Sequence, residues 1–208
     1  MTILSRQISA LGCRLVRPSS QAVAAFSSSS RHLTVVGPEE ALNHQSALAH
    51  AEKRLEISGF NRSHFWEQPI AWGDHDSFQH VNNVRYVRFF ESSRIHWMRY
   101  LGHRLGGPDA ADALLKGKGV SLILKSIQVK FRRPVTFPDT LLLAHRPVQA
   151  DVADDPAVLR LSAAAYSLKQ GKLVAESNEE VVWYDYDRLR KCTPEDSHLD
   201  AVWGRGAR

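Results

Sequence analysis

One segment, VNNVRYVRFFESSRIHWMRYLG (81–102), constrains the fold more than any other. Val84, Val87, Ile95, Met98 and Leu101 recur at helical spacing, and Tyr86, Phe90 and Trp97 form a neighbouring stripe. An apolar face this wide predicts a helix buried on several sides. Gly102 stands where a C-cap is expected. The chain beyond residue 119 is strand-like. In VSLILKSIQVKF (120–131), Ile123, Ile127, Val129 and Phe131 alternate with polar residues; TLLLAHRPV (140–148) comes next. In VLRLSAAAYSL (158–168), Leu159, Leu161, Ala163 and Ala165 share one face, and the KQGK turn leads into KLVAESNEEVVWYDY (172–186). Ahead of the helix, FWEQPIAWG (65–73) reads as a strand in which Pro69 argues for a sheet edge or an irregular start. The order strand, helix, four antiparallel strands predicts an α+β fold, one curled antiparallel sheet wrapped around one long central helix. The small residues Ala163 to Ala165 would let the sheet approach that helix closely.

The remaining chain is peripheral to that unit. The net charge is +5, but residues 1–36 hold Arg6, Arg14, Arg17 and Arg31 and no acid, so four of the five charges lie there. Basicity therefore describes a leader, and no nucleic-acid partner is expected. Serine enrichment, with Ile3, Leu4, Ile8, Leu11 and Leu15 at helical spacing, predicts a mitochondrial targeting presequence over 1–36. Arg14 and Arg17 interrupt any secretory core. Removal between Phe26 and Leu33 would take Cys13 and leave Cys192 as a lone thiol, so no disulfide framework is expected. Residues 37–61, with Pro38, Glu39 and Glu40 at a helix start, predict a peripheral helix or arm. Residues 187–208 read as a loose polar tail. No apolar run approaches the roughly 18 residues of an integral membrane segment.

The chemistry concentrates in AWGDHDSFQHVNNVRY (71–86), where Asp74, Asp76, His80, Asn82 and Asn83 stand immediately before the helix. A helix start presents unpaired N–H groups and partial positive charge, which stabilise a carbonyl oxygen becoming an oxyanion. A carboxylate just upstream can return beside that point as nucleophile or as base for water. Together they suffice for ester or thioester hydrolysis without a serine. Capping alone would explain Asp74 and Asn82, and His75 reads as a solvated loop residue. Asp74, Asp76 and His80 lack a fourth metal ligand, so neither metal nor cofactor is expected.

The segment WGDHDSFQHVNNVRYVRFFESSR resembles the hotdog-fold thioesterases of the 4-hydroxybenzoyl-CoA thioesterase-like superfamily and its acyl-carrier-protein thioesterase relatives. Trp72, Asp74, Asp76, His80 to Asn83, Tyr86 and Glu91 carry the resemblance, and KFRRPVTFPDTL (130–141) supports it. It spans residues 62–186 and implies a single hotdog domain over that range. By position, it implies Asp76 as the catalytic carboxylate, His80 as its partner and the backbone N–H of Asn83 as oxyanion donor. Asn82, Tyr86 and Glu91 would line the substrate; Glu91 reads equally as an internal ion pair with Arg94 or Arg88. Where the acyl-carrier-protein enzymes place Asn two residues after the Asp, this chain has Phe78, which points to Asp76 acting with His80 orienting it. The expectation is a hydrolase of acyl-CoA or acyl-carrier-protein thioesters in the mitochondrial matrix, working as a homodimer or higher homo-oligomer. Its rival is a non-catalytic hotdog, an acyl-binding or assembly component of a mitochondrial complex. The residue pattern of a hotdog dehydratase is not found.

Overall fold

The computed structural model describes residues 37–149 and 155–205; the leader expected over 1–36, Cys13 included, lies outside them. The elements are α1 (Pro38–Ile57), β1 (Trp66–Pro69), α2 (Asn83–Leu115), β2 (Val120–Phe131), β3 (Thr140–Val148), β4 (Val158–Ser167), β5 (Lys172–Asp185), β6 (Arg190–Lys191) and α3 (Asp196–Trp203). The strands pair antiparallel in the order β1-β3-β4-β5-β2, with β6 added to the end of β5. This sheet curls around α2, the single-domain α+β hotdog architecture.

Residue parity decides which helix each strand faces. Leu141, Leu143, Ala163 and Ala165 pack against Tyr86, Phe89 and Phe90 of α2. Their neighbours Leu142, Ala144, Ala164 and Tyr166 pack against Ala51 and Leu55 of α1 on the opposite face. Burial on both faces is why TLLLAH reads as a continuous apolar run rather than an alternation. The arm at 38–57 is thus a helix seated on the sheet; Leu55 alone buries a side chain worth about 1.5–3 kcal/mol.

Four local expectations change. Along α2 the buried face is Tyr86, Phe89, Phe90, Trp97, Met98 and Leu101, whereas Val84 and Ile95 are 71% and 44% exposed and Val87 is also open. Aromatic bulk, rather than the β-branched stripe, selects the face turned to the sheet. In β2 a bulge between Leu124 and Ser126 inserts one residue and reverses parity. Leu122 is therefore buried, Ile127 and Val129 pack on the core, and Ile123 faces outward. The C-terminal segment is not loose: β6 pairs with β5, and α3 places Ala201 and Val202 against Trp97 and Trp183.

Gly102 is no cap. The helix runs to Leu115, broken only at Gly106 and Gly107, where Gly107 has φ +79° just ahead of Pro108. The return leg crosses Gly102 so closely that a Cβ there would lie 2.4 Å from Ala111 Cα and 2.9 Å from its N. Backbone atoms cannot rotate away. Gly102→Ala is therefore expected to cost about 1–3 kcal/mol through overpacking, lowering Tm by roughly 2–12 °C. An unchanged melting curve would contradict this packing.

Candidate active site

The loop before α2 closes like a short hairpin. Asn82 N–H donates to Asp74 O at 2.9 Å, His75 and Val81 form a bridge, and Asp76 N–H donates to His80 O at 3.0 Å. Gln79 takes a left-handed φ of 64° at the tip. These rungs set Asp76 opposite His80, within a few residues of the helix start. One Asp76 oxygen, Oδ1, accepts the Phe78 N–H at 2.9 Å, while Oδ2 has no partner among the described residues. Asp74 braces the loop: its Oδ2 accepts the Ala71 N–H at 2.8 Å and its Oδ1 lies 3.5 Å from Arg85 Nε. His75 is not merely solvated, because its Nε2 accepts the Phe137 N–H at 2.7 Å and ties the loop to the β2–β3 connection.

At the helix start, Asn82 is the N-cap, and its Oδ1 accepts the Val84 N–H at 3.1 Å. The N–H of Asn83, an exposed residue, has no acceptor among the described residues. It is thus an orphan donor at the positive end of a long helix. His80, Val81, Asn83 and Tyr86 from this side, with Phe131 and Arg132 to Pro134 from the other, enclose a cavity of about 290 Å³. The Val81 N–H to Val135 O bond, 2.8 Å, clamps the two sides together. Tyr86 forms the inner wall, edge-on to Phe89 and Phe131 at 5.8 and 5.3 Å. Burial, and secondarily the Asp139 carboxylate, pushes its phenol up to about 12, so it stays protonated.

The structure thus gathers His80, Asn83 and Tyr86 on one cavity, with Asp76 joined to them through the His80 backbone. The His80 ring is exposed and makes no hydrogen bond to Asp76. Glu91 stands apart: it is exposed on the outer face of α2, in line with Val84, Val87 and Ile95, and pairs with neither Arg88 nor Arg94. Arg94 instead turns inward to Glu179 of β5, Nη1 to Oε2 2.8 Å. Glu179 and His145 escaped the sequence reading, although both occupy inward-facing positions of their strands, between Ser177 and Val181 and after Leu143. In the sequence, Arg132 and Arg133 stand out only as part of a strand and turn. Among the described residues, no three His, Cys, Asp or Glu side chains converge to hold a metal, and no helix is long and apolar enough to cross a membrane.

Residues 70–202 match the thioesterase-like superfamily. The chain belongs to that superfamily. None of the curated proteins matches it. Solved structures resemble it in fold. The PA2801 protein of Pseudomonas aeruginosa is 24% identical, with a TM-score of 0.54 over 67% of this chain and 97% of its own. A Thermus thermophilus thioesterase, complexed with coenzyme A and Zn, is 17% identical, with a TM-score of 0.53 over 67% of this chain and 91% of its own. The DHNA-CoA thioesterase of Staphylococcus aureus is 14% identical, with a TM-score of 0.50 over 67% of this chain and 83% of its own. This thioesterase-like protein therefore shares its fold with enzymes from several bacterial sources, at identities that speak to fold alone.

Proposed function

We propose that this protein hydrolyses acyl thioesters of CoA or of an acyl-carrier protein in the mitochondrial matrix. One observation carries the reading: Asp76, a carboxylate with one oxygen unpartnered among the described residues, is bonded through its backbone to His80, which lines a cavity together with the unpartnered helix-start N–H of Asn83. Asp76 Oδ2 attacks the thioester carbonyl, expelling the thiolate and leaving an anhydride that water opens, or it takes the proton of a water that attacks directly. Either course consumes one water and yields a carboxylic acid and a thiol. In both, the Asn83 N–H stabilises the oxyanion of the tetrahedral intermediate. The family, the resemblance of the D-x-D-x-x-x-H-V-N-N segment and the DHNA-CoA thioesterase among its structural neighbours support the substrate class. The acid-free basic leader supports the location.

The two sheet edges support a homodimer. β1 is four residues long and carries Pro69, so it resists pairing. β2 offers a free edge of twelve residues with Ile123 and Leu124 exposed, and α2 leaves the Val84, Val87 and Ile95 stripe open. Edge-to-edge pairing across a two-fold axis would cover both. Sedimentation velocity at micromolar concentration should give a dimer, and Ile123→Glu with Leu124→Lys should yield monomer; a monomeric wild type would remove this assembly. The function itself is tested by incubating the protein with acyl-CoAs and identifying products by mass spectrometry. Free acid and free CoA in equal amounts are expected, whereas acyl-CoA recovered intact but protein-bound would replace the hydrolase with the acyl-binding reading.

A further inference from the structure

The sheet face turned away from α2 carries a groove of about 750 Å³ that the hydrolytic reading leaves unused. Its wall is α1, which precedes the family match at residue 70. Five cations converge on it: Arg54 from α1, Arg146 from β3, Lys172 from β5, and Arg132 with Arg133 just past β2. They face one acid, Glu176, which is committed to Arg132 at 2.7 Å to Nε and 2.6 Å to Nη2. Arg54, Arg133 and Lys172 have no carboxylate partner among the described residues, and Arg146 lies over the Phe60 ring at 5.3 Å instead of on an acid. Beyond residue 36 the chain carries a net charge of only +1, so the groove's net +4 is a local concentration rather than a reflection of overall basicity.

Shape narrows the ligand. Ser162 and Ala164 make a low floor, and Tyr166 stands beside it with the His50 ring edge-on at 6.2 Å. Across the sheet, β3 and β2 are three strand spacings apart, about 14 Å, and Arg132 lies a further four residues along from the position in register with Arg146. That span suits several phosphates on one molecule better than a single anion, and guanidinium forks match phosphate oxygens. A concave site of this size takes a small molecule rather than a folded acidic partner. Arg132 and Arg133 also line the cavity at His80 and Asn83, so groove and catalytic mouth adjoin at those two residues.

We infer that the groove walled by α1 binds a phosphorylated nucleotide, its phosphates on the arginines and its base against Tyr166 and His50. The nucleotide is either the distal end of a CoA thioester whose acyl end lies in the mouth, which rests on the hydrolase reading, or a free nucleotide, which does not. Calorimetric titration of the full chain with adenosine 3′,5′-bisphosphate should show saturable binding that weakens with added salt. Arg54→Glu with Lys172→Glu, both at exposed positions, cancels the groove's net charge and should weaken binding about tenfold or more while the melting curve shows an intact fold. No binding to wild type at millimolar ligand, equal binding by the variant, or equally tight binding of inorganic phosphate would each overturn the inference. The source follows from KM for an acyl-CoA relative to the matching acyl-pantetheine. If that ratio rises toward one in the variant, the nucleotide is the substrate's own; if it is preserved while calorimetric binding is lost, the nucleotide is a free one. A protein that binds the bisphosphate but hydrolyses no thioester keeps the groove and loses the hydrolase reading.

Discussion

Asp76→Asn is expected to fold normally and to hydrolyse thioesters at least about 10²–10⁴-fold more slowly than wild type. The amide oxygen can still accept the Phe78 N–H at the Oδ1 position, so the loop that presents residue 76 is kept. What disappears is the anionic oxygen now unpartnered, which an amide cannot replace as nucleophile or base at neutral pH. Neighbouring substitutions should be graded by their geometry. His80→Ala should cost less, because the ring is exposed and touches Asp76 only through the backbone. Asp74→Asn retains an acceptor for the Ala71 N–H and gives up only the 3.5 Å contact with Arg85. Its loss should stay below about tenfold, as for an exposed ion pair. kcat values on a common substrate, with melting curves as the fold control, check the series.

The second large effect lies beneath α2. Glu179 is fully buried and meets Arg94 Nη1 at 2.8 Å, Ser177 Oγ at 2.9 Å and His145 Nε2 at 3.3 Å, with Ser93 Oγ on the far His145 nitrogen at 2.9 Å. Glu179→Leu would strand the buried Arg94 charge, an expected cost of about 3–5 kcal/mol, or roughly 6–20 °C in Tm. Removing both charges, Arg94→Met with Glu179→Leu, should cost less than the single change, because no charge is left uncompensated. Additive losses in that double variant would show that the network does not act as a unit. Burial pushes the Glu179 carboxyl up, but His145 and Arg94 outweigh it and hold the group below its ordinary value of 4.5. Its contribution is therefore complete above that ordinary value and lost as pH falls through the lower folded one. The Tm gap between wild type and Glu179→Leu should accordingly narrow as pH falls below about 4.5. His64 stays neutral above that range and gains charge only at its acid end, since burial and then the field of His145 push its imidazole down to about 4.

Much of this protein is legible in its residues, and the failures have physical causes. Alternation placed Leu159, Leu161, Ala163 and Ala165 on one face because β4 is regular there, and Pro69 marked an edge because it cannot donate to a ladder. Ile123 was misassigned because a bulge is invisible to a strict two-residue period. Val84, Val87 and Ile95 share helical spacing with core residues, yet spacing alone cannot tell a face turned to the sheet from one left open. Gly102 carried the signature of a cap, and only the returning leg at Ala111 reveals its role in close packing. The segment 71–86 is legible as the candidate site because its constraints are local: a loop, a cap and a helix start. Glu179 and the basic groove were hidden because their partners come from strands and helices far apart in sequence, and total charge averages such clusters away.

The most direct test of the hydrolase reading is thiol release by the wild-type protein across a panel of acyl-CoAs varying in chain length and aryl character. Saturable release of free CoA on at least one member, abolished in Asp76→Asn, is the predicted result. Release from no member, or release that persists undiminished in Asp76→Asn, would contradict the assignment of this helix mouth as the place where the thioester is cleaved.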